Sequence, residues 1–293
     1  MKASQLTLAV LLTAAFGSAY AVEVQGGSSN TKAIKVGSSS LIPFGAGRAG
    51  IAISNAADGN YSFSVNLENG PVKHIGIKYN IKYKQGTQKV PSNGNDPYAN
   101  VDGTRNPHYL TLKDVKPVIG WFYNPPLGQV WYENRAHNTE VYSVRQMAEL
   151  SSSGIAAKIP KFGGLVIAKV PGMPREGNVF FGEWAPRKNG TAPDNSTDLN
   201  MGSSQRTVWY VGENPTQNMP RLVNARYNVL GVNQHTPGRN DFYTGVLTAN
   251  YGAGKNELSG SISRPGDSVN FADTKIDHRG TFDNYKANEH ITG

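Results

Sequence analysis

The sequence predicts a mainly β fold in two parts: an N-terminal β-rich domain with one short helix, then a C-terminal antiparallel β-barrel. Three observations carry that prediction. Two upstream runs, YSFSVNL (61–67) and HIGIKYNIKYK (74–84), alternate apolar with polar residues, the pattern of a sheet with one dry and one wet face. Beyond residue 177 short strand-like runs follow closely, mostly separated by Gly, Pro or Asn turns. Long helical patterns are rare.

In chain order, the first element is an address. MKASQLTLAVLLTAAFGSAYA has one charge at Lys2, an apolar centre from Leu6 to Phe16 and a small-residue cleavage pattern at Ala19-Tyr20-Ala21, so residues 1–21 read as a secretory leader. Its apolar centre is too short to span a bilayer. GAGRAG (45–50) fits the dinucleotide pattern, but Pro43 precedes it and no helical face follows, so it reads as a glycine-rich turn. The loop DGTRNPHYL (102–110) carries His108, and QVWYENRAHNTEVYSVRQ (129–146) sets His137 in a polar knot between two strand-like runs. SVRQMAELSSSGIAAKI (143–159) is the one expected helix, with Val144, Met147, Ala148 and Leu150 at rough helical spacing and Gly154 as a stop. Two prolines and two glycines in KVPGMPREG (169–177) place the expected joint near Pro174, dividing the mature chain into 22–173 and 174–293.

Six strands are expected in the second part: 178–185, 206–212, 221–232, 242–252, 256–264 and 268–273. In the hairpin YTGVLTANYGAGKNELSGSISR (243–264), Tyr243, Gly245, Leu247, Ala249 and Tyr251 share one face, answered by Leu258, Gly260 and Ile262. Mid-strand glycines there mark a bend or a close approach of another backbone.

Composition narrows the function. No cysteine is present, which excludes disulfides and the usual acylation site of a lipoprotein. The formal charge is +8, and removing Lys2 with the leader leaves 8 − 1 = +7, a balance suited to an anionic ligand or surface. Lys and Arg are scattered rather than striped, which argues against nucleic acid. No zinc-spaced His-Glu pair and no Gly-x-Ser-x-Gly elbow occurs, and the chain is read as not an enzyme.

NVFFGEWA (178–185), TVWYVGENPTQNMP (207–220) and the 243–264 hairpin resemble the C-terminal barrel of the hemophilin family. PFGAGRAGI (43–51) and PPLGQVWYENRAHNTEVYSV (125–144) extend the resemblance over most of the mature chain. Members are secreted or surface proteins exported by the surface lipoprotein assembly modulator, with a barrel related to that of transferrin-binding protein B. That barrel normally continues through further strands to a C-terminal Phe-Gly motif. KANEHITG (286–293) lacks them, so the expected barrel is incomplete at its C-terminus.

The resemblance implies a secreted hemophore, a soluble carrier that binds heme in its N-terminal domain and delivers it to an outer-membrane receptor for iron acquisition. The implied partners are heme, that receptor, the outer-membrane export modulator and a host heme protein. The alternative is a host-association or host-protein-binding factor on the same scaffold. A heme site needs neutral imidazole on the iron, an apolar slot and cations near the propionates. His108 and His137 are the expected iron ligands, with His74 in reserve; Tyr109, Trp131 and Tyr132 would wall the slot, and Arg135 would meet a propionate. His235, His278 and His290 fall in the barrel half and are given no role.

Overall fold

A computed structural model describes residues 7–8, 22–39, 47–54, 65–68, 108–111, 126–146, 154, 161, 163–170, 177–187, 200–237, 239–252, 254–284 and 291–292. The strands are β1 (Thr7–Leu8), β2 (Val24–Ser28), β3 (Ile34–Ser38), β4 (Ala49–Ile53), β5 (Val65–Asn66), β6 (His108–Thr111), β7 (Pro126–Arg135), β8 (Thr139–Gln146) and β9 (Gly164–Val170). They continue as β10 (Val179–Ala185), β11 (Thr207–Glu213), β12 (Leu222–Val232), β13 (Tyr243–Tyr251), β14 (Glu257–Arg264), β15 (Asp267–Asn270), β16 (Thr274–Ile276), β17 (Phe282–Asn284) and β18 (Ile291–Thr292).

These strands make three antiparallel sheets. A central seven-stranded sheet has the order β2-β11-β10-β9-β8-β7-β6, and a three-stranded sheet the order β3-β4-β5. An eight-stranded sheet runs β1-β12-β13-β14-β16-β17-β18, with β15 also paired to β14. β1 lies inside the segment read as a leader and pairs Thr7 and Leu8 with Val232 and Gly231.

Strands β8, β9 and β10 of the central sheet are buried on both faces, and their side chains sort by parity. Tyr142, Val144, Leu165, Ile167, Phe180, Trp184, Trp209 and Val211 form one core with Ile34, Ala49, Ile51 and Leu67 of the three-stranded side. The alternate residues Val141, Val166, Ala168 and Phe181 pack instead against Leu230, Val232 and Phe242 of the eight-stranded side. Trp184 and Trp209 are fully buried, and Trp184 Nε1 donates to the Lys161 carbonyl at 2.8 Å. Burying an aromatic of this size is worth about 4–6 kcal/mol before entropy is charged against it. A third core, around Tyr243, Leu247, Ala249, Leu258, Ile262 and Phe271, lies on the inner face of the eight-stranded sheet.

Three expectations meet the structure differently. The helix over 143–159 fails at its start: Ser143–Gln146 are the end of β8, paired with β7 on one side and β9 on the other. A strand buried on both faces loses its polar alternation, which is why Val144 could be counted into a helical stripe. The described residues include a three-residue 3-10 turn, Ala136–Asn138. The joint near Pro174 is not a break between sheets, because β9 and β10 on either side of it are hydrogen-bonded neighbours from Val170↔Val179 to Gly164↔Ala185. The change of sheet falls between Glu213 and Leu222. Finally, the eight-stranded sheet does not close into a barrel among the described residues. The outer neighbour of β12 is β1, and the far end dwindles into β16, β17 and β18 of two or three residues each. The run 74–84 lies outside the described residues.

The expected 243–264 hairpin is present as β13–β14, with Leu247 opposite Gly260, Ala249 opposite Leu258 and Gly245 opposite Ile262. Within GAGRAG, Gly47 is left-handed at φ +85°, and Ala49 and Gly50 already belong to strand β4 rather than to a helix.

Candidate functional site

The β6–β7–β8 end of the central sheet carries most of the residues singled out in the sequence. His108 opens β6, the last strand in the order among the described residues, and pairs with Val130; Tyr109 pairs with Gln129. Trp131 and Tyr132 lie in β7 opposite Ser143 and Tyr142. His137 occupies the tight turn between β7 and β8, exposed and left-handed at φ +60°, and Asn138 beside it is left-handed too. His74 lies outside the described residues.

His108 and His137 are not brought together. His108 is level with Val130, and the strand continues five residues to Arg135 before the turn, about 17 Å at the ordinary rise per residue. An imidazole reaches a bound metal only about 6.5 Å from its own Cα, so two reach about 13 Å. The pair cannot share one iron across this strand.

Arg135 is engaged elsewhere as well. Its guanidinium pairs with Glu133, donates to the Arg239 carbonyl at 3.1 Å, and stands over the Phe242 ring at 5.6 Å. Its side chain is 8% exposed. A propionate would have to displace the buried Glu133 carboxylate to reach it.

Glu133 leads to a polar cluster that sequence reading did not find. On the β12–β13 connection, against the central sheet, lies His235, with a fully buried ring. Its Nε2 is 2.6 Å from Glu133 Oε2 and its Nδ1 is 2.5 Å from Asp241 Oδ1. Glu183 of β10 accepts the backbone N–H groups of Gln234 and His235 at 2.9 and 2.8 Å, and pairs with Arg206 at 3.3 Å. Arg206 also bonds the Asn233 side chain. Arg145 of β8, wholly buried, donates to the His235 carbonyl at 2.8 Å. Arg264 of β14 donates to the carbonyls of Asn233 at 2.6 Å and Asp241 at 3.1 Å.

The placements follow from strand parity. Glu133, Val141, Arg145 and Glu183 all sit on the face of the central sheet turned toward the eight-stranded sheet. Burial pushes the Arg145 guanidinium down to about 10, against the opposing pull of Glu183, Glu133 and Asp241, so it stays charged at neutral pH. For His235, burial works against the charged ring. Hydrogen bonds and charge from Asp241 and Glu133 overcome it, and its pKa is raised. In sequence, the only sign of this cluster was acids and arginines at inward-facing positions of β-patterned runs, and its partners stand 102 and 52 residues apart.

Chemically, the cluster can hold and release a proton, and little else. Its carboxylates take hydrogen bonds rather than converging on a shared point, and no group of three or more His, Cys, Asp or Glu among the described residues is arranged for a metal ion. No protein-family model matches the chain.

Proposed function

We propose that the chain is a secreted heme carrier that takes up heme, from a host heme protein among other sources, and hands it to an outer-membrane receptor. Export through the outer-membrane modulator belongs to the same reading. The observation that carries it is the position of His108 at the start of β6, the last strand of the central sheet among the described residues, level with Val130 and on the same side by register as Tyr132 of the adjoining strand. A neutral imidazole is an ordinary axial ligand for heme iron. In this reading His108 is the protein ligand, Tyr132 shares its side of the sheet by register while Tyr109 and Trp131 fall on the other, and His137 stays outside the coordination sphere. Arg135 remains with Glu133, and the propionates are met by the chain's general positive balance.

Hemin titration followed in the Soret region tests this. The wild-type chain should give a sharp, saturable Soret band, His108→Ala should lose or shift it, and His137→Ala should leave it unchanged. A wild-type chain that leaves the hemin spectrum as in buffer would sink the carrier reading in favour of the host-association factor. An unchanged band in His108→Ala would remove His108 from the site.

A further inference from the structure

The junction between the two large sheets joins apolar packing to ionic contacts. Leu230, Val232 and Phe242 fill the apolar part, and the ionic part turns on one imidazole. A neutral imidazole carries one N–H and one lone pair, so it can donate to only one of two carboxylates. His235 has carboxylate oxygens within hydrogen-bond distance of both ring nitrogens. The imidazolium matches this arrangement, since it donates on both sides; removing its proton sets a nitrogen lone pair against a carboxylate.

The two acids come from opposite sides of the junction. Glu133 is on β7 of the central sheet, whereas Asp241 and His235 itself belong to the β12–β13 connection. We propose that His235 is a proton-operated latch: charged, it ties the central sheet to the eight-stranded sheet, and deprotonation loosens the two sheets from each other. The step moves one proton from the ring to water and breaks no covalent bond.

Every neighbouring charge bears on the latch. Arg135 from β7 supports Glu133 from behind, and Arg145 from β8 holds the His235 carbonyl. Glu183 from β10 holds the backbone of Gln234 and His235, with Arg206 as its counter-ion. From β14, Arg264 holds the carbonyls of Asn233 and Asp241. The Phe242 ring covers the imidazole at 4.3 Å between centroids. The contacts from Arg145 and Glu183 also hold the β12–β13 connection against the central sheet, independently of the ring's protonation. The Glu133–His235 bond is a contact across the junction that deprotonation breaks when the remaining N–H stays with Asp241. Deprotonation therefore removes one tie among several across the junction.

The inference stands apart from heme binding and uses none of the residues assigned to it. Two measurements on the full chain test it. In imidazole 15N spectra of the wild type at pH 7.5, His235 should carry protons on both nitrogens. A histidine at the ordinary value of 6.5 would be about nine-tenths neutral there. A neutral His235 ring at that pH overturns the proposal.

Because the chain has no cysteine, Lys32→Cys and Ser261→Cys place spin labels at two exposed positions, one beside each large sheet. Their distance distribution should be narrow at pH 7 and broaden as the pH rises through the His235 titration. With His235→Gln added, it should be broad at both values. A distribution that stays equally narrow across that titration refutes the latch whether or not the glutamine variant folds.

Discussion

Glu213, at the end of β11, is a second place where one buried side chain joins separate parts of the fold, and its removal has a magnitude that can be worked out. Its Oε1 accepts from Arg48 Nε at 2.8 Å and from the Ala49 N–H at 3.0 Å. Its Oε2 accepts from Arg48 Nη2 at 2.7 Å and from the Asn178 N–H at 3.1 Å. Glu213→Ala orphans two backbone donors, of which Ala49 is 1% exposed. The buried Ala49 donor costs about 1–3 kcal/mol and the half-buried Asn178 donor about 1 kcal/mol. The Arg48 side chain is 41% exposed, so its pairing adds less than about 1 kcal/mol after screening. The sum is about 2–5 kcal/mol, a fall in Tm on the order of 10 °C for a chain of this size. Glu213→Gln keeps one carbonyl oxygen in place and should lose about half as much. Urea unfolding followed by tryptophan fluorescence is the assay, since Trp184 and Trp209 sit in the core that Glu213 borders. The reasoning is refuted if Glu213→Ala unfolds within 1 kcal/mol of wild type, or if glutamine is no better than alanine.

Three more outcomes are expected. Gly182→Ala should leave little soluble folded protein, because a Cβ at that position would overlap the Val166 carbonyl oxygen of the neighbouring strand β9; near-normal yield and Tm would contradict the pairing. Stability should depend on pH through His235. Its raised folded-state pKa gives a contribution fully present below the ordinary 6.5 and lost as pH rises through the folded value. His235→Gln should flatten that decline in a Tm-versus-pH series. A fragment of residues 214–293 should express more solubly than one of 174–293, which carries β10 and β11 without their neighbours β9 and β2. Equal solubility of the two fragments would count against the sheet assignment.

What the sequence made legible was local. The β13–β14 hairpin and its shared face came out as expected because alternation and glycine placement are short-range signals. Gly245 and Gly260 read as points of close approach, and a Cβ at either would run into the backbone of the adjoining strand. The dinucleotide reading of GAGRAG failed on context visible in the sequence, and β4 follows Gly47 directly. His235 was not legible: a histidine in NQHTPGRND reads as a turn residue, and nothing within ten positions announces Glu133. The spacing of His108 and His137 was equally hidden. Twenty-nine residues apart in the chain, they could have met or not; the register of β6 on β7 decides that they do not.

The pairing across the expected joint has a meaning that reaches beyond one place. Proline and glycine at 169–177 interrupt a strand pattern in the sequence. Such punctuation serves a hairpin connection as well as a linker between domains, since both need only an interruption of pairing. What separates the cases is whether the flanking strands pair with each other. For β9 and β10 they do, along seven rungs. That pairing also puts Phe181 and Glu183 on the face toward the eight-stranded sheet, with Phe180 and Trp184 on the opposite one. One strand thereby contributes to two cores and to the polar cluster at once. The true change of sheet, in ENPTQNMPR between β11 and β12, has ordinary turn composition and no stronger signal than its neighbours. Long-range pairing, which places Glu133 against His235, also places the division between the sheets.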